Sequence, residues 1–550
     1  MSFRSDPMSH LDVPRLHFAG RFRADPSTVD NSLSRYDPAV VLGKDNVGWN
    51  PQGGHGFRIF DATVTRGVDA GGRVVEAPSG DLAIAGLVRS TDDPTEAKIV
   101  DLDPDQAYLS QIYGLRINVA TADGLGGVVG RLRAPVLNDF WRRWPGSVGP
   151  TGLSGTYQSV LEALTWTGLD GSPLLRALQT VSGDRLALKF VVDGYHADHT
   201  GRVVGTIGPA FPGEPERFVA ARRLRPIGGA FGPGFGRHDP ARGRLVLDLA
   251  NALPNSSAGG PPPDGARVTV SLRDPTAPAA SALGLPAGFV VLGSFLFDAE
   301  ASESAGGVVE LPLDAGQAPL MATRPLTLWF STAAGPPARA LEEDATGLYV
   351  DVEPPLLRLN PGESAAVTLT ALRFGAPAEG VALDLGAIAK DHMGIPAEAL
   401  RFPGRVTTDA RGRAEAVFQA AAPVGKPDAR RHIDGQIYYV GGPWQAFGAV
   451  NQPQGGGAIT ILVFDDFQPP ARPTWADVAP IFNHYARLFP MMKALLDLSD
   501  YDAVSSSAES LNDMLSLPFE DPRYMPVVRD LSANKRAMIL QWLRAGAPKE

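Results

Sequence analysis

The chain has no cysteine. That one absence excludes disulfides, thiolate nucleophiles, cysteine-ligated zinc, iron–sulfur clusters and covalently attached c-type haem. Long apolar runs are missing too, and no window approaches the roughly 18 uninterrupted residues of a membrane span. The opening residues, MSFRSDPMSHLDVPR, lack the apolar stretch of a secretory leader, so a soluble, cytoplasmic protein is expected. Positive charge is in deficit, with 50 Lys and Arg against 60 Asp and Glu and a net charge of −10. No chain-wide basic field is available to draw in nucleic acid. There is no G-x-S-x-G elbow, no Walker phosphate loop, and no G-x-G-x-x-G set between a strand and a helix.

What is present is β-rich. With 550 residues, 44% of them hydrophobic, the chain can build two to four packed domains. Gly and Pro are abundant and the apolar runs are short, as in all-β architecture. We expect a mainly β protein with a helical C-terminal tail. Its parts are a β-sandwich-rich body over residues 1–352, in two lobes breaking near 255–265, an immunoglobulin-like sandwich over 353–468, and a small α-helical domain over 469–550. The sandwich rests on strand-like runs such as Ala365–Leu372 and Ile459–Phe464. It also rests on Thr407–Phe418, whose turn, glycine and strand are similar to bacterial immunoglobulin-like repeats. Leu153–Gln179 has helical spacing, with Val160, Leu161 and Leu164 on one face and Leu174, Leu175 and Leu178 on another, interrupted at Gly168–Gly171. Leu186–Val192 is a buried-strand candidate. In the tail, Thr474 and Asp477 suit a capping box ahead of Val478, Ile481, Phe482, Tyr485 and Phe489, and Ser532 suits an N-cap for a last helix.

Four groups of residues can carry chemistry. In Pro14–Asp25, period-two alternation puts Leu16, Phe18, Gly20 and Phe22 on one face of a strand and Arg15, His17, Arg21 and Arg23 on the other. That cationic face suits carboxylates. The use we expect first is a structural pairing with Asp101, Asp103 and Asp105, which an extended backbone would align and which could alternatively belong to a solvated loop or hold calcium. His196, Asp198 and His199 could ligate a divalent metal, or belong to an exposed loop. His484, on the amphipathic tail helix, could ligate haem or sit at the core edge bonded to a carbonyl. Tyr524-Met525-Pro526 with the final helix looks like the end of a small cytochrome c domain, where the methionine is an axial ligand. Haem bound here would be non-covalent.

Several blocks together resemble one family. They are PRLHFAGRFRADPSTVDN (14–31), VDLDPDQAYLSQIYG (100–114), RRLRPI with GRLVLDLANALP (222–227 and 243–254), and FNHYARLFPMM through YMPVVRDLSANKRAMILQWL (482–543). In this order they are similar to the N-terminal portion of the iminophenylpyruvate-dimer and chromopyrrolate synthases of violacein and indolocarbazole biosynthesis. The resemblance implies oxidative coupling of two imines derived from an aromatic 2-oxo acid, in a haem-associated enzyme, with His484 and Met525 as first candidates for haem ligands. Members of that family are longer and carry a ferritin-like second half that has no counterpart here up to Glu550. Two readings follow. One is a stand-alone relative doing redox chemistry on a small aromatic carboxylate in bacterial specialised metabolism. The other is a non-catalytic binding or scaffold protein that partners a separate catalytic subunit or a second copy of itself.

Overall fold

A computed structural model describes residues 10–26, 53–101, 110–142, 153–196, 198–211, 214, 216, 222–227, 231–253, 266–280, 283–332, 335–388, 399–421, 434–444 and 458–550. The mainly β body and the helical tail are as the composition predicts. Asp103, Asp105 and the run 259–263 lie outside the described residues.

Eight strands form the first unit: β1 (Arg15–Ala24), β2 (Gly56–Val68), β3 (Leu87–Thr91), β4 (Arg116–Ala120), β5 (Gly127–Leu132), β6 (Leu153–Thr167), β7 (Leu186–Asp193) and β8 (Thr200–Pro209). Each is antiparallel to its predecessor and successor, and β1 pairs with both β8 and β2, so the sheet closes into an up-and-down barrel. Closure removes free edges among these eight strands. A hairpin of Ala97–Asp101 and Ser110–Tyr113 extends from β2. The barrel is solid inside. Leu16, Phe18 and Phe22 of β1 meet Phe57, Ile59, Leu188, Phe190, Val203 and Ile207 there. Gly20 is required by close approach, since a side chain there would run into the backbone of Ala62. Helix α1 (Pro173–Ser182) begins with Ser172 accepting from the Leu175 amide at 3.2 Å and buries Leu174, Leu175 and Leu178 against the same core.

The helical spacing in Leu153–Thr167 is misleading, because this segment is β6. Its register shifts between Glu162 and Thr165, with Ala163 at φ 52°. That bulge resets the alternation. Leu161, Leu164 and Trp166 therefore all reach the barrel core despite their uneven spacing.

The second unit is one antiparallel sheet of eight strands: β9 (Arg222–Pro226), β10 (Gly234–Asp239), β11 (Arg244–Asp248), β12 (Arg267–Arg273), β13 (Phe289–Leu296), β14 (Val308–Pro312), β15 (Leu326–Ser331) and β16 (Ala338–Glu343). The order is β13-β12-β15-β16-β9-β10-β11-β14, wrapped around Leu224, Leu245, Leu247, Val270, Leu326 and Leu341. The break between lobes thus falls between Pro209 and Arg222, ahead of 255–265, which lies between β11 and β12. Helix α2 (Ala299–Ser304) follows β13.

The third unit is a two-sheet sandwich whose first strand, Leu348–Glu353, pairs with Ser364–Arg373. It therefore begins before the Glu353-Pro354-Pro355 boundary read from the sequence. Leu356–Leu359 runs parallel to Ile459–Val463 in the opposing sheet. Asp409 closes a turn by accepting from the Arg411 and Arg413 amides, Gly412 takes φ 70°, and Arg413–Ala420 alternates buried and exposed. In the tail, α3 (Trp475–Leu488) opens on the expected capping box, and α4 (Ala533–Arg544) buries Met538, Ile539, Trp542 and Leu543. Ser532 holds the N-cap position, but its hydroxyl makes no cap bond; its amide donates instead to Asp434 at 2.8 Å. Among the described residues no helix is long and apolar enough to cross a membrane.

Candidate functional site: the seam between barrel and second unit

The outward face of β1 is not one cationic surface. Strand register sorts it, with its neighbours on β8 and β7, into three rows: His17–Thr206–Lys189, Ala19–Val204–Val191 and Arg21–Arg202–Asp193. The second unit covers the first two rows. Ala250 packs on Ala19, Val191 and Val204, and Asp248 comes down on Lys189. The third row stays at the rim. Arg21 donates to Thr200 Oγ1 at 2.7 Å, stacks on Phe60 and lies 4.0 Å from Asp198, while Arg23 is exposed. The four residues expected to share a carboxylate site are thereby split, with Arg15 and His17 buried and Arg21 and Arg23 outside. Burial is decided by where the second unit ends, and a period-two pattern does not encode that.

Under the cover sits a buried polar layer. Lys189 Nζ donates to Asp248 Oδ1 at 2.8 Å, and His10 Nε2 lies 2.9 Å from Asp248 Oδ2. His10 Nδ1 has no partner, which fits a neutral ring protonated at Nε2. Burial pushes the Asp248 acid up, but the Lys189 charge and the His10 hydrogen bond outweigh it and hold the group far below the usual carboxylate range. Burial, with Arg15 and Arg66 nearby, keeps His17 uncharged. Its Nε2 accepts from Arg15 Nε at 3.2 Å and its Nδ1 faces Thr206 Oγ1 at 3.3 Å. The N-terminal segment straps the two units together: Asp12 pairs with Arg237, and Leu11 packs on Val246 and Val308.

Beside this layer opens a cleft of about 390 Å³. Its floor is Arg15 and His17. Arg66 of β2 and Arg244 and Glu310 of the second unit form polar walls, and Val74, Phe295, Leu296 and Phe297 form an apolar lip. Among the described residues, Val74 and Leu296 are conspicuously exposed large apolar side chains, at 50% and 58%. One carboxylate, Glu310, serves two guanidinium groups, Arg15 and Arg244, the latter at 2.6 Å. Arg66 is held by Glu76 at 3.0 Å on its other side. The wall from Gly306 to Gly307 is tight. A Cβ on Gly306 would come within 2.7 Å of the Gly205 carbonyl and 3.1 Å of His17 Nδ1, and both glycines have positive φ. Chemically, the cleft offers guanidinium groups, paired with Glu310 and Glu76, beneath an apolar lip, with no proton-transfer group reachable at its floor, since His17 is 1% exposed and engaged on both nitrogens.

The other candidates are not assembled. Asp198 caps its own turn through the Thr200 amide and hydroxyl, and His199 Nδ1 bonds the Tyr195 hydroxyl at 2.8 Å. Among the described residues no three His, Asp or Glu side chains are grouped to hold a metal ion. The β7–β8 hairpin turn spends these side chains on its own closure. His484 is half-buried, off the Val478–Phe482–Tyr485 stripe, and Met525 packs against an apolar core in which Trp475, Phe482 and Trp542 touch ring to ring at 5.7–6.1 Å. Lys189 and Asp248 were visible in the sequence as single charges in the apolar runs LALKFVV and LVLDLA; Arg66, Arg244 and Glu310 carried no such signal.

No family model matches this chain, and no curated protein matches it. Among solved structures it is weakly similar to an S-layer protein, at 9% identity over 76% of this chain and 53% of that one, with a TM-score of 0.15. It is also weakly similar to two bacterial alpha-2-macroglobulins. For the Escherichia coli protein activated by porcine elastase the identity is 11%, over 83% of this chain and 42% of that one, with a TM-score of 0.14. For the Salmonella protein reacted with methylamine it is 11%, over 91% and 32%, with a TM-score of 0.15. The chain spans about half the length of the first of these and less of the others. Likeness at this level carries no argument about fold or function.

Proposed function

We propose that this chain is a stand-alone relative of the imine-dimer synthases that acts in specialised metabolism by binding a small aromatic carboxylate, beside a separate catalytic subunit. The observation that carries the reading is the cleft, where Arg244 and Arg66 stand next to Phe295, Phe297, Leu296 and Val74. A carboxylate there would share Arg244 with Glu310 and Arg66 with Glu76, through charge-assisted hydrogen bonds whose individual worth is about 1.5–3 kcal/mol. A ring on the lip gains burial at about 25 cal/mol per Å². Binding rather than turnover is favoured because the imidazole at the cleft's floor, His17, is uncharged and engaged within the protein on both nitrogens.

Calorimetry with phenylpyruvate tests the reading, against 2-phenylethanol as a neutral control. Binding of the acid and not of the alcohol is expected, with Arg244→Ala weakening it at least tenfold. Equal affinity for both, or no change in the variant, would remove the cleft as the site. Redox turnover of the acid by the purified chain alone would restore the catalytic reading.

A further inference from the structure

We infer that Glu76 is a built-in competitor of the cleft: it holds Arg66 back from an incoming carboxylate, lowers the affinity of the site and leaves Arg244 as the receptor. This role, which rests on the carboxylate reading of the cleft, follows from how unevenly the two guanidinium groups are engaged. Arg244 has committed one nitrogen. Its Nη1 donates to Glu310 Oε2 at 2.6 Å, and among the described residues its Nε and Nη2 have no partner. Those two N–H groups form the side-on fork that takes a carboxylate bidentately. Arg66 has already committed the same fork. Its Nε and Nη2 both donate to Glu76 Oε2, each at 3.0 Å, which leaves only Nη1.

Local structure delivers the competitor. The short strand Val74–Val75 runs antiparallel to the end of β2, with Val74 opposite Val68 and Val75 opposite Gly67. One step further, that register sets Glu76 opposite Arg66 as a cross-strand ion pair. Alternate residues of a strand share a face, so Arg66, Val68 and Val74 line the cleft together, and Glu76 meets the guanidinium from their side. The two glutamates differ in what else they hold. Glu310 is 17% exposed and also answers the buried Arg15, so it belongs to the fold as much as to the cleft. Glu76 is 53% exposed, and among the described residues its carboxylate has no partner besides Arg66. A solvated pair of this kind is weak, equivalent to about two- to fivefold in an equilibrium constant. A ligand carboxylate can therefore displace Glu76 from Arg66, and its affinity is lower by that factor.

Calorimetric titration with phenylpyruvate at one fixed ionic strength tests this in the full chain, as wild type, Glu76→Gln, Arg66→Gln and the double variant. Glu76→Gln should bind the acid about two- to fivefold more tightly than wild type, with no change for 2-phenylethanol. Placed in the Arg66→Gln background, the same substitution should change affinity by less than about 1.5-fold, because the competition it removes needs Arg66. Unchanged or weaker binding in Glu76→Gln would overturn the role. So would an equal gain with and without Arg66, which would make Glu76 a distant charge and not a competitor. Two failures can be told apart. If neither wild type nor Glu76→Gln binds the acid, the carboxylate reading of the cleft falls and this role with it. If wild type binds and Glu76→Gln gains nothing, this role falls alone.

Discussion

Replacing Asp248 with Asn tests the physical account of the seam most directly. The carboxylate is 2% exposed and holds Lys189 at 2.8 Å and His10 at 2.9 Å, themselves 3% and 0% exposed. The amide keeps the shape and can still accept hydrogen bonds, but it leaves the Lys189 ammonium buried with no counter-charge. An uncompensated buried charge costs about 3–5 kcal/mol, well beyond the roughly 1 kcal/mol of an ordinary hydrogen bond. Urea unfolding should therefore show a midpoint shift equivalent to that loss. It should be read by hydrogen exchange on β7 and β11, because a chain of several units need not unfold in one step. The double variant Lys189→Met with Asp248→Leu removes both charges and should recover most of the loss, as replacing a buried pair by apolar groups is often neutral. A loss below about 1 kcal/mol in the single variant, or a double variant worse than the single, would refute the reasoning. The pH dependence has a stated sign. The Asp248 acid is depressed, so its contribution is present above about pH 4 and is lost as pH falls below that. Burial depresses His10 as well, so acid also works against the fold below its ordinary value of 6.5.

Other substitutions probe the remaining claims. Gly20→Ala should cost about 1–3 kcal/mol in barrel stability, toward the upper end, because the new methyl meets the Ala62 backbone, which cannot yield as a flexible side chain would; a variant with wild-type unfolding would mean that β1 and β2 are not held this closely. Arg21→Ala, at an exposed rim position, should change stability by no more than about 0.5 kcal/mol in the same assay. Trp542→Ala should cost about 3–5 kcal/mol within the tail, since the indole is fully buried among Trp475 and Phe482 and donates to the Pro548 carbonyl at 2.8 Å. Tail-specific exchange would report that loss.

The local sequence determined what depends on short-range periodicity and turn chemistry. The alternation of β1 set which residues enter the barrel, Thr474 and Asp477 set the start of α3, and Asp409 with Gly412 set a sandwich turn, because each is decided within a few residues. The same locality misled at β6, where a one-residue bulge made a strand look helical, and at Ser532, whose amide is taken by a carboxylate 98 positions away. Tertiary structure alone decided that the barrel closes, that the second unit lies over His17, Ala19 and Lys189 and not over Arg21 and Arg23, and that Arg66, Arg244 and Glu310 meet in one cleft. Those outcomes depend on strands hundreds of positions apart, and the free energy that selects them is the burial of one unit's surface by another. A charged residue on a strand's outer face reads the same in sequence whether water or a second sheet covers it.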